Sequence, residues 1–196
     1  MKKLKPYFDL LLGILYLLFT TLEYYPCFNK FDAFHLGDWC FITGIIGGLF
    51  FIVLAVLAFL KKDKDLTFLE LYNTCLLCII FLGTITIGLN VNGYLIFINI
   101  VGPLLVLFRF FYYTDCRKIK KLWYLLFLGI APVVYVIFAF ILLKVSGDCP
   151  FPAKMLFFYE NNLIPYGLTL LLILVNIIFG GSLYFLNRFV NKKRDK

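Results

Sequence analysis

Two polar residues stand inside apolar runs where they could serve chemistry: Thr43, near the start of WCFITGIIGGLFF, and Asn99, in NGYLIFINIVGPLLVLFRFFYY at residues 92–113. Asn99 is coupled to Pro103, because a helical proline lacks an N–H and pushes away the carbonyl four residues earlier, here that of Asn99. Such a break is stable at membrane depth only where protein, polar side chains or water satisfy the loosened backbone. The segment is therefore expected to face a bundle interior. Thr43 sits among Gly44, Gly47 and Gly48, and the GxxxG spacing of Gly44 and Gly48 lets another helix approach closely. Two readings of Thr43 follow: a hydroxyl bonded back to its own helix, the common fate of membrane threonines, or a nucleophile.

Other groups carry weaker chemical signals. His35, the single histidine, lies near Asp32 and Asp38 in PCFNKFDAFHLGDW. A metal site there lacks nitrogen or sulfur partners at a recognised spacing, so a solvated loop is the favoured reading. Cys75 and Cys78 stand three apart on one helical face, but a lone CxxC without a second ligand pair reads better as small core residues. Cys27, Cys40 and Cys149 fall on the outer side, where disulfides persist; Cys27 with Cys149 is the expected pair. Asp9 and Glu23, near the two ends of the first apolar segment, read as interfacial anchors ahead of a proton or ion site. Glu70 lies near the cytoplasmic end of the third segment. No P-loop, GxSxG or HExxH motif is present, and neither a cofactor nor a metal is expected.

The elements that must position these residues are set by composition. The 196 residues are 63% hydrophobic and 15% charged, with a mean hydropathy of +0.94, far outside soluble-domain averages. Apolar segments fall at residues 7–25, 40–60, 68–89, 93–113, 121–143 and 164–186, each near the ~20 residues that cross a bilayer as a helix. The expected fold is an all-α integral membrane protein, one domain over residues 1–196 with six transmembrane helices. Residues 1–25 keep bulky side chains to their end and read as a retained first helix, not a cleaved signal.

The net charge of +8 does not point to nucleic acid, because of where the charges lie. Of 19 basic residues, 16 fall before the first segment, between the second and third, around the fourth-to-fifth link with Arg109, or in the tail; Lys30, Lys144 and Lys154 fall opposite. By the positive-inside rule both termini are cytoplasmic in a cell-membrane protein, and the basic clusters can also meet anionic headgroups. Asn90-Val91-Asn92-Gly93 predicts a tight turn joining antiparallel neighbours. Pro132, after Gly129 and Ala131, repeats the proline device, so two kinked helices are expected to open a cavity. Pro165 stands in the first turn of the last helix, where proline is tolerated.

The order of these features resembles the androgen-induced, FAR-type family of small six-helix membrane proteins, from the second helix onward. The matching pieces are Phe41-Ile42-Thr43, Asn99-Ile100-Val101-Gly102-Pro103-Leu104-Leu105-Val106-Leu107, Ala131-Pro132-Val133-Val134-Tyr135 and Cys149-Pro150-Phe151-Pro152. Animal members of that family are intramembrane hydrolases of lipid esters with a threonine nucleophile on the second helix and a histidine partner on the fourth. The resemblance implies Thr43 as the nucleophile and puts Asn99 at the histidine position. An amide is no general base at neutral pH, and losing such a base costs about 10²–10⁴-fold. The implied function is a lipid-ester hydrolase relative with impaired or altered chemistry. The alternatives are a non-catalytic protein that binds a lipid in a pocket between helices or binds another protein, and a substrate-binding transporter subunit. Residues 9–22, DLLLGILYLLFTTL, lack the paired-alanine docking face of such subunits.

Overall fold

Long apolar runs in hydrocarbon can satisfy their backbone only as helices or closed barrels. The computed structural model describes residues 4–30, 38–62, 64–87, 93–146 and 163–194, and its long elements are helical: α1 (Lys5–Lys30), α2 (Trp39–Phe59), α3 (Thr67–Ile87), α4 (Gly102–Tyr113), α5 (Ile130–Ser146) and α6 (Leu163–Arg194). A π turn, Phe97–Val101, leads into α4, and 3₁₀ segments Cys116–Lys118 and Leu122–Gly129 link α4 to α5. Five described stretches are long and apolar enough to cross a membrane: Lys5–Cys27, Trp39–Phe59, Thr67–Thr86, Leu122–Val145 and Thr169–Arg194. Phe97–Tyr113 is a shorter apolar helix. Leu11, Leu49, Phe108, Ile137 and Ile178 are among many large apolar side chains left exposed on the bundle, as a lipid-facing surface requires. The chain is an all-α, multi-pass helical bundle of membrane character.

The small residues of α2 serve two neighbours. On one row Gly44 lies against Thr20 and Gly48 against Leu17 and the Gly13 carbonyl, so α1 takes the GxxxG face. Gly47, on the adjacent row, faces Leu77 and Asn73 of α3. The two backbones come closest at Gly13, where an added methyl would lie 2.8 Å from the Gly48 carbonyl oxygen and 3.0 Å from the Ile52 nitrogen. Backbone cannot swing aside as a side chain can. Gly13→Ala should therefore push α1 from α2 and destabilise the bundle by about 1–3 kcal/mol, read as a lowered thermal midpoint in detergent; an unchanged midpoint would show that the two helices are not held this closely.

α3 is the most enclosed of the long helices and packs on α2, α4 and α6. Asn90, Val91 and Asn92 of the expected turn lie outside the described residues; Gly93, at φ 56, occupies the left-handed backbone region that favours glycine, and α3 and α4 are neighbours. The two prolines are absorbed differently from simple kinks. Ahead of Pro103 the helix widens into the π turn, in which the Gly102 N–H donates to the Phe97 carbonyl five residues back; widening relieves the clash between a proline ring and the carbonyl four residues earlier. Ahead of Pro132 the chain instead tightens into eight residues of 3₁₀ helix. There Gly129 lies against Ile173 and Ile177 of α6, so this junction is packed shut.

Candidate functional site

Thr43 is buried, and its Oγ1 donates to the Trp39 carbonyl one turn back at 2.6 Å. That bond commits the hydroxyl's proton to its own helix. Asn99 is also buried, within the π turn, and its Oδ1 has no hydrogen-bond partner among the described residues. The same holds for the Tyr16 hydroxyl, the Thr20 hydroxyl and the Asn73 amide nitrogen.

Helical register draws these four groups together. Tyr16 and Thr20 are one turn apart on α1; Thr20 lies against Gly44, and one turn along α2 the Asn73 Oδ1 lies 3.3 Å from where a Gly47 methyl would stand. The Tyr16 hydroxyl lies 2.6 Å from the equivalent point on Gly102, one turn after Asn99. Three helices, α1, α3 and α4 with the π turn that leads into it, thus turn unspent hydrogen-bonding capacity inward, and such a turn is frequent at functional sites. None of the four groups is charged.

Charge gathers instead at the basic end of the bundle. Arg109, fully buried on α4, makes a two-pronged bond with Asp9 of α1: Nε to Oδ1 at 2.7 Å and Nη2 to Oδ2 at 3.1 Å. Its Nη1 donates to Glu70 Oε2 of α3 at 2.7 Å and to Thr114 Oγ1 at 2.9 Å. Thr114 in turn donates to Glu70 Oε2, while Lys5 Nζ bonds Glu70 Oε1 at 2.9 Å. The Phe51 ring lies 5.6 Å from the guanidinium. Two cations and two carboxylates balance, and every ionised group has a partner. Asp9, read from sequence as an interfacial anchor, is instead buried inside this network, because α4 places Arg109 opposite it at the same depth.

Beside the network opens a cavity of about 750 Å³ whose walls include Lys5, Lys64, Glu70, Thr114, Lys118 and Arg194. The segment after α4 is pinned in place by α6. Asn187, fully buried, donates through Nδ2 to the Phe110 and Thr114 carbonyls and accepts from the Cys116 N–H. Arg194 caps the Tyr112 and Phe111 carbonyls at the end of α4, where a cation also suits the helix dipole. In the same segment Asp115 accepts from the Arg117 side chain, which holds its carboxyl below the ordinary range. Burial pushes the Cys116 thiol up to about 12, so it is a neutral core group at physiological pH.

Cys75 and Cys78 diverge: Cys75 Sγ approaches the Asn176 carbonyl on α6, Cys78 Sγ the Pro103 carbonyl on α4. Among the described residues no group of three His, Cys, Asp or Glu side chains could hold a metal. Asp32 and His35 lie outside the described residues, as does Cys149 and with it the expected Cys27 pairing. Compared with protein-family models, with curated proteins and with solved structures, the chain matches none.

Proposed function

We propose that this is a six-span membrane protein, both termini cytoplasmic, whose interior polar site binds a neutral lipid group without cleaving it. The charge asymmetry of the loops supports the orientation, and Phe97–Tyr113, a short apolar helix, supplies the sixth span where the bilayer thins around it. The resemblance to the FAR-type hydrolases supports placing the site near Thr43 and Asn99. Catalysis is disfavoured because the Thr43 proton is committed to Trp39 and Asn99 offers no base.

The observation that carries the binding reading is the buried, unpartnered Asn99 Oδ1, with three more unpartnered polar groups on the helices that pack against its turn. Each such group costs about 1–3 kcal/mol when left unsatisfied. A hydroxyl or ester of a lipid, able to donate and accept, would recover that cost.

Native mass spectrometry of detergent-extracted protein tests this. The wild type should retain lipid, and Asn99→Leu should retain about tenfold less, as expected for losing one buried hydrogen bond. Equal retention by both proteins would remove the interior site. Turnover of a long-chain ester that disappears in Thr43→Ala would instead establish the hydrolase reading.

A further inference from the structure

We propose that the cavity at the basic end is a second, separate site that takes the phosphate of an anionic phospholipid headgroup. Its walls carry five cationic residues, Lys5, Lys64, Arg117, Lys118 and Arg194, against three carboxylates, Asp65, Glu70 and Asp115. Four of the eight are mutually committed. Lys5 bonds Glu70, whose second partner, Arg109, is balanced by Asp9, and Arg117 bonds Asp115. Asp65 is turned towards the Thr67 N–H and hydroxyl of its own segment. Lys64 and Lys118 form no salt bridge among the described residues, and Arg194 meets the Tyr112 and Phe111 carbonyls and the Tyr112 ring, none of them an anion. Two positive charges are left over, converging on a space of about 750 Å³, within the usual range for small-ligand sites.

A smaller hollow of about 380 Å³ shares Asp65, Thr67 and Lys118 and extends the basic surface to Lys120 and Lys121. Guanidinium and ammonium groups are the donors that phosphate oxygens call for.

Position decides between a lipid and a soluble phosphate. The cavity lies where α1 and α3 begin and where α4 and α6 end, with Lys5, Thr67, Tyr113 and Arg194 in its wall. These are the terminal residues of membrane-crossing or apolar helices, so the opening lies at headgroup level. Tyr112 and Tyr113 complete the rim, as aromatic residues do at the membrane interface. A lipid phosphate reaches this level with its acyl chains still in hydrocarbon along the exposed apolar helix faces.

The test uses the full chain in neutral detergent, titrated with phosphatidylglycerol or phosphatidylcholine and read by native mass spectrometry. The wild type should bind phosphatidylglycerol about tenfold more tightly than phosphatidylcholine, in keeping with a few basic residues acting near a headgroup. Lys64→Gln with Lys118→Gln should abolish the preference. Lys61→Gln with Lys62→Gln, exposed lysines of the same link outside the cavity wall, should keep it, as should Asn99→Leu, whose site is separate. Equal binding of the two lipids by the wild type would overturn the proposal, and so would equal loss of preference in both lysine pairs, which would mean diffuse attraction. Displacement of phosphatidylglycerol by an equal concentration of inorganic phosphate would assign the cavity to a soluble anion instead.

Discussion

Arg109→Leu is expected to destabilise the bundle by about 3–5 kcal/mol, the range for removing one partner of a buried ion pair. The substitution leaves Asp9, which is 1% exposed, with no salt-bridge partner among the described residues, and takes from Glu70 its buried partner. Lys5 can compensate Glu70 only in part, being 30% exposed and so more screened. Arg109→Lys should lie between wild type and leucine: it keeps the charge but cannot reach Asp9 through two nitrogens and Glu70 through a third.

The informative variant removes the whole network. Arg109→Met with Asp9→Leu and Glu70→Leu should recover much of the loss, since replacing a buried ionic set by apolar residues is often neutral or better. Unfolding in a denaturing detergent, followed by helical circular dichroism, reads all three. If Arg109→Leu unfolds with the wild-type midpoint, the network does not hold α1, α3 and α4 together.

That network also marks where sequence reasoning stops. Asp9, Glu70 and Arg109 are each recognisable as charges near one end of an apolar run, so their depth is legible. Their azimuth is not. Asp9 and Arg109 are paired across 100 residues, and their meeting depends on how α4 packs on α1, where Gly102 lies against Tyr16, which neither charged residue reveals. The GxxxG row, the glycine turn at Gly93 and the early proline of α6 were legible because each is a local steric rule. Pro103 predicts a break, but whether the helix widens or opens depends on what packs there, and Tyr16 crowds Gly102 at that point. The 3₁₀ run before Pro132 has the same explanation in Gly129 against Ile173. Thr43 was placed correctly near a helix contact, yet which acceptor its hydroxyl finds is a rotamer choice that spacing does not encode.

Asn187 left no sequence signal beyond being an amide in an apolar helix, yet its loss should release the segment that follows α4. Its amide serves three backbone groups: the Phe110 carbonyl at 3.2 Å, the Thr114 carbonyl at 3.0 Å and the Cys116 N–H at 2.9 Å. Asn191 also donates to the Thr114 carbonyl, so that group keeps a partner in Asn187→Leu. The Phe110 carbonyl likewise keeps the Thr114 N–H, so only the Cys116 N–H is orphaned, and the expected cost is about 1–3 kcal/mol for that buried group. Asn187→Asp retains an acceptor for Cys116 but brings a buried charge against two carbonyls, so it should be worse than leucine. Hydrogen exchange separates this local role from general loosening. In Asn187→Leu the Cys116 amide should exchange much faster under conditions where the amides of α3 stay protected, because only the former loses its acceptor. Wild-type exchange at Cys116 would mean that α6 does not anchor the segment. Since that segment carries Arg117 and Lys118 into the cavity wall, its release should also weaken the preference for phosphatidylglycerol while leaving the Asn99-dependent lipid in place, tying the packing of α6 to the geometry of the anion site.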